Sequence, residues 1–96
     1  MDNKEFDVCI VGGCGHVGLP LGMAFADKGQ NVALYDINDA VIEKVNNGIV
    51  PFKEEGAAKV LKRVLKKGKL LAINDPSIIA KSRAVILVIG TPVDEH

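Results

Sequence analysis

The sequence has no tryptophan, one tyrosine and three phenylalanines, so its 48% hydrophobic content is carried by aliphatic side chains rather than rings. That composition suits an α/β core of Val, Ile, Leu and Ala and excludes a disordered chain, which is poorer in apolar residues. Net charge is also missing. Twelve basic and twelve acidic residues cancel, which leaves no overall field to draw the chain to nucleic acid or an anionic membrane, so a charged ligand has to be held locally. No apolar run approaches the ~20 residues that span a bilayer, and the start Met1-Asp2-Asn3-Lys4-Glu5 lacks the cationic-then-apolar order of a secretory leader. A cytoplasmic protein with neither nucleic-acid nor membrane partners is expected. The two cysteines, Cys9 and Cys14, stand five positions apart, which is neither a disulfide framework nor a metal spacing, so both are expected as reduced thiols and no metal is expected.

Ninety-six residues make one domain at most. Phe6 to Val11 is a short apolar, partly β-branched run stopped by Gly12-Gly13, which suits a buried parallel strand. From His16 to Lys28 apolar residues recur at Val17, Leu21, Ala24 and Phe25, a helical face closed by Gly29, with Pro20 tolerated in the first turn. Asn31 to Tyr35 is a second strand ended by Asp36, after which Asn38 or Asp39 can cap a helix carrying Ala40, Val41 and Val45. Beyond Pro51, residues Ala57, Val60, Leu61, Val64 and Leu65 line one side of a further helix that Gly68 closes. Its opposite side, continuing to Lys69, holds Lys59, Lys62, Arg63, Lys66 and Lys67, which without interleaved aromatics reads as a solvated face rather than a phosphate or nucleic-acid contact. Leu70 to Ile73 is a third strand, Asp75 or Ser77 starts a short helical turn, and Ala84 to Ile89 is a fourth strand ending at Gly90-Thr91-Pro92.

Between the first strand and the first helix, GxGxxG fits one register only, on Gly13, Gly15 and Gly18, because a register on Gly12 would require glycine where Cys14 stands. In such a loop the first glycine allows a sharp turn, the second lets backbone approach a pyrophosphate, and the third lets helix pack on strand. The anion then rests on N–H groups at the positive end of the helix opened by His16 and Val17. Cys14 fills a spacer position facing the phosphates, and His16 offers ring contact and backbone N–H rather than proton transfer. Asp36 follows Gly18 by 18 residues, near the ~20 expected for a carboxylate that accepts from the adenosine ribose hydroxyls and repels a 2′-phosphate. The competing reading is that Asp36 merely begins a helix. Ile37, Asn38 and Asp39 follow it with no basic residue, which favours NAD over NADP. The alternation of strands with helices, read with this loop, predicts an α/β Rossmann-type parallel sheet with flanking helices, partial at about four strands in order 3-2-1-4.

Val11 to Pro20, with its Leu19-Pro20 after the last glycine, resembles the opening of the UDP-glucose/GDP-mannose dehydrogenase family. Tyr35-Asp36-Ile37-Asn38, Pro51-Phe52 with Glu55-Gly56, and Val88-Ile89-Gly90-Thr91-Pro92 extend the resemblance over the whole chain. It implies that Gly90 and Thr91 join Gly13, Cys14, Gly15, His16, Val17, Gly18 and Asp36 as cofactor-binding residues. His16 stands where the family usually has an aromatic residue, and Val41 where it often has a basic one. The family oxidises the C6 hydroxyl of a nucleotide sugar to a carboxylate in two NAD-dependent steps for polysaccharide biosynthesis. Its catalytic cysteine matches neither Cys9 nor Cys14.

On this reading residues 1–96 are the N-terminal part of an NAD-binding domain, with the UDP-sugar substrate, the catalytic residues and homo-oligomer formation belonging to a longer parent, and these residues alone bind NAD weakly and catalyse nothing. The ending from Thr91 to His96 leans towards a UDP-N-acetylhexosamine over UDP-glucose. Two alternatives are another two-domain NAD dehydrogenase, of the 3-hydroxyacid or 6-phosphogluconate type, and a stand-alone non-catalytic nucleotide-binding module. An apolar, unpaired flank on the fourth strand is expected in a partial sheet.

Overall fold

The structure, a computed structural model, describes residues 4–88. Its elements in chain order are β1 (Phe6–Val11), α1 (Gly18–Asp27), β2 (Val32–Tyr35), α2 (Asp39–Asn46), α3 (Ala57–Lys66), β3 (Leu70–Ile73), α4 (Ser77–Ala80) and β4 (Ser82–Leu87). The strands form one parallel sheet in the order β3-β2-β1-β4, as the alternation predicted. β1 lies inside the sheet, flanked by β2 (Cys9 opposite Ala33) and by β4 (Cys9 opposite Val85). Its centre, Val8 to Ile10, is buried, which explains why it reads as a continuous apolar run rather than an alternating one.

Three helices cover one face. Leu19, Met23 and Ala26 of α1, Val45 of α2, and Leu61 and Val64 of α3 pack with Val8, Ile10 and Leu34 in the main core. The opposite face is covered, among the described residues, by the four-residue α4, whose Ile78 packs on Cys9 and Ala33. Val85 and Leu87 on the same face of β4 are 43% and 65% exposed, and among the described residues β4 pairs with β1 alone.

Helix ends follow local chemistry. Asn38, not Asp39, caps α2, its side-chain oxygen accepting from the Val41 N–H at 3.2 Å. α1 closes through Gly29, which adopts a φ of 98° while its N–H donates to the Ala26 carbonyl. Asp75 accepts from the Ser77 N–H at 3.0 Å, and this pairing with the backbone holds its carboxyl below the usual range. The basic residues of α3 are exposed, and Arg63 makes two 3.0 Å bonds to Asp27 of α1.

Besides one-residue shifts at the start of β2 and the end of α1, two element starts move further from expectation. α1 begins at Gly18 rather than His16, because residues 12–17 form the turn itself. β4 begins at Ser82 rather than Ala84, since the pairing of Phe6 with Ser82 sets the start of the ladder. At the β3 edge the Asn46 side chain donates to the Ala72 carbonyl (2.8 Å) and accepts from the Ala72 N–H (3.0 Å). One amide thereby takes the place of a neighbouring strand at that residue.

Candidate cofactor site

β1 delivers the chain at Val11 to the C-terminal edge of the sheet, where the order reverses between β1 and β4, the position at which open α/β sheets bind ligands. The turn is made at Gly12, whose φ of 83° is the left-handed conformation, while the N–H groups of Gly12 and Gly13 both donate to the Tyr35 carbonyl, at 2.9 and 3.1 Å. The sharp bend expected at Gly13 therefore belongs to the residue before it. Gly13 serves close approach instead, because a Cβ there would lie 2.7 Å from Leu34 Cβ and 2.8 Å from the Ile10 carbonyl oxygen. Gly18 acts as expected, since a Cβ would meet the Gly12 carbonyl and lie 2.8 Å from Gly13 Cα. Gly22, one turn into α1, is a softer case: its Cβ would lie 2.6 Å from Leu34 Cδ2, the tip of a side chain that can give way, and the closeness shows that α1 rests on β2.

Gly15 differs from these three. The nearest atom to a Cβ at this position is the Gly12 carbonyl oxygen at 3.8 Å, an ordinary contact, and Gly15 is exposed. Nothing within the described fold forbids a side chain here, whereas a pyrophosphate lying against the backbone would. The N–H groups of Gly15, His16, Val17 and Gly18 have no backbone acceptor among the described residues, while Leu19 and Leu21 donate back to the Gly15 and Val17 carbonyls. Val17 stands at the N-cap without a side-chain cap, and the first turn of α1 holds no acidic residue. An uncapped helix start next to an open backbone surface is suited to an anion.

Asp36 is held at both oxygens. Oδ2 accepts from the Cys14 N–H and Oδ1 from the Asn38 N–H, each at 3.1 Å. It is Asn38 that caps α2, so the alternative role of Asp36 as a simple helix start does not describe what it does. With Val11, Gly12, Tyr35, Ile37 and Val88 the carboxylate lines a depression of about 230 Å³, and none of these described lining residues is basic.

Cys14 departs from expectation. Its side chain is 3% exposed and packs in the main core, so only its N–H turns towards the site, where Asp36 takes it. Burial, with the Asp36 charge added, pushes the thiol up to about 12, which leaves it protonated and unreactive. Cys9 is buried as well, and burial raises its thiol. Both are free thiols, as expected. His16 and Val17 are exposed at the loop, and the His16 ring stacks on Phe52 with centroids 4.5 Å apart and planes 27° from parallel. Phe52, reached from the stretch between α2 and α3, carried no signal of a site role in the sequence. Gly90 and Thr91 lie outside the described residues. Among the described residues no group of three or more His, Cys, Asp or Glu is placed to hold a metal, and no helix is long and apolar enough to cross a membrane.

The profile of the "UDP-glucose/GDP-mannose dehydrogenase family, NAD binding domain" matches residues 6–96. The chain belongs to this family. Its cofactor is NAD, and the four-stranded sheet is the front of the family's dinucleotide-binding fold. It is 34% identical over 84 residues to a UDP-glucose 6-dehydrogenase of Bacillus subtilis, covering 86% of this chain and 18% of that protein. To a UDP-N-acetyl-D-mannosamine dehydrogenase of Pyrococcus horikoshii it is 36% identical over 81 residues, covering 84% and 19%. Among solved structures, a ternary complex of GDP-mannose dehydrogenase from Pseudomonas aeruginosa superposes with a TM-score of 0.84 at 25% identity, over 92% of this chain and 20% of that one. This family member thus spans about a fifth of the length of the relatives it matches. Neither a hydroxyacid-type dehydrogenase nor a stand-alone module is favoured by these likenesses.

Proposed function

We propose that residues 13–18 and Asp36 hold NAD in a protein that oxidises the C6 hydroxyl of a UDP-sugar, such as UDP-glucose or UDP-N-acetylmannosamine, to the uronic acid. The observation that carries the site is the space at Gly15, which the fold leaves empty and a pyrophosphate would fill. The residues fit the cofactor. The N–H groups of residues 15–18 would receive the two phosphates, and the remaining lone pairs of Asp36, whose carboxylate accepts from Cys14 and Asn38, would accept from the adenosine ribose hydroxyls. Gly90 and Thr91, which lie outside the described residues, are proposed as further cofactor contacts from the family resemblance alone. NAD, when bound, supplies the acceptor for the hydride that leaves C6. The task of this chain is to orient that acceptor and to exclude a 2′-phosphate through the Asp36 charge. Sugar binding, hydroxyl deprotonation and homo-oligomer contacts fall to the parts of the relatives that this chain does not cover. We place the protein in the cytoplasm, supplying uronic acids for polysaccharide synthesis, as part of the same proposal.

Calorimetric titration of NAD and NADP into the chain tests this reading. NAD should bind in preference, Asp36→Ala should weaken it about ten- to a hundredfold as charge-assisted hydrogen bonds are lost, and Gly15→Val should abolish it. Equal binding of NADP, or affinity unchanged in both variants, would place the cofactor elsewhere.

A further inference from the structure

The fingerprint residues lie in the turn after β1, at the first residue of α1 and just after β2, yet the ring contact found at the phosphate loop among the described residues comes from the stretch 47–56, between α2 and α3. His16 sits in the middle of the turn whose N–H groups lack backbone acceptors, one residue before the helix start at Val17. Its side chain is exposed, and the helix start at the far end of the turn carries no side-chain cap, the Asp36 carboxylate holding the turn only at the Cys14 N–H. Phe52 by contrast is half-buried, packed against the main core, and follows Pro51, whose ring fixes the backbone on that side. The stack therefore ties a solvent-facing turn to a residue rooted in the core.

We propose that Phe52 is a positioning residue of the cofactor site, and that by stacking on His16 it holds the N–H groups of residues 15–18 in the arrangement that receives the pyrophosphate. The inference rests on the reading that NAD binds at this loop. Anion binding by backbone N–H groups depends on their being aligned before the anion arrives, since a loop that must order itself on binding loses affinity. The histidine serves as a flat ring rather than as an acid or base, and the stretch between α2 and α3 becomes a wall of the site although none of its residues belongs to GxGxxG.

A double-mutant cycle on NAD affinity decides it. Phe52→Leu and His16→Leu should each weaken NAD about three- to tenfold, the range an aromatic pair contributes beyond its buried area. The double variant should lose no more than the weaker-binding single one, because the two rings act as one unit. Phe52→Tyr and His16→Tyr, which keep a ring at each position, should recover most of the affinity lost with leucine. Melting temperatures run in parallel, and His16→Leu, being an exposed substitution, should leave stability within ~0.5 kcal/mol of the parent; that separates positioning from simple unfolding. Additive losses in the double variant, or NAD affinity untouched by Phe52→Leu, would overturn the proposal. Gly15→Val keeps the two readings apart. If it abolishes binding while the ring variants do nothing, positioning fails alone; if it too does nothing, the site reading fails and the proposal falls with it.

Discussion

Replacing Gly13 and Gly15 by alanine, one at a time, separates what the fold requires of the phosphate loop from what a ligand requires of it. At Gly13 the added methyl would stand 2.7 Å from Leu34 Cβ, 2.8 Å from the Ile10 oxygen and 2.9 Å from Leu34 Cα. Ordinary carbon contacts lie at ~3.5–4.0 Å, and the atoms met are backbone or Cβ atoms of β1 and β2 that no rotamer change can move aside. Overpacking of that kind costs about 1–3 kcal/mol or more, which in a domain of this size lowers the melting temperature by roughly 4–20 °C. At Gly15 the nearest atom is 3.8 Å away and the backbone lies outside the left-handed region. Alanine there narrows the unfolded ensemble without strain, so stability should hold or rise by ~0.4–1 kcal/mol. NAD should respond in the opposite sense. The methyl of Gly15→Ala projects into the pyrophosphate position and should weaken binding by at least about tenfold, since each ~1.4 kcal/mol of overlap is a factor of ten. Denaturant unfolding without cofactor, followed by NAD calorimetry on both variants, gives the four numbers needed. Destabilisation of cofactor-free Gly15→Ala comparable to that of Gly13→Ala would refute the assignment of Gly15 to the ligand.

Asn46→Ala should cost about 1–2 kcal/mol in urea unfolding, because Ala72 loses both partners at the β3 edge; it should also introduce concentration-dependent association as that edge opens, detectable by light scattering. The cysteines predict the alkaline limb of stability. The folded-state values of both thiols are raised, Cys14 from 9.0 to about 12, so the neutral form is the one the fold favours. That contribution is complete below pH 9 and is lost as pH climbs from 9 towards 12, where the unfolded chain ionises first. Cys14→Ala should flatten the fall in this window. Alkylation at pH 8 should leave both cysteines of the native chain unmodified and label both after unfolding, as read by mass spectrometry.

The parts of the fold legible in the sequence are those governed by local composition. β3 is a four-residue apolar run between Gly68-Lys69 and Asn74, and it falls where the run does. Asp36 could be picked out because its distance from Gly18 is set by one helix and one strand, both of regular length. What escaped was decided by contacts between residues far apart in sequence. Ser82 enters β4 because Phe6 lies opposite it, which the polar pair Ser82-Arg83 hides. Cys14 turns inward because Asp36, 22 positions away, takes its N–H. Phe52, in the stretch between α2 and α3, meets His16 in the turn before α1. Among the glycines the pattern was read correctly, but one role was assigned wrongly, because a string of letters does not say whether a missing Cβ serves a torsion angle or a neighbour.

The vacancy at Gly15 bears on how such a domain ages once its ligand no longer matters. Gly13 and Gly18 are kept by their neighbours, so a copy that had stopped carrying a cofactor would still be obliged to retain them in order to fold. Gly15 has no such guardian. Drift would reach it early, and any residue it acquired would improve the chain's rigidity while destroying the reason for the loop. In a lineage of such domains the second glycine of the fingerprint is therefore the register of use, and the other two are only the register of shape.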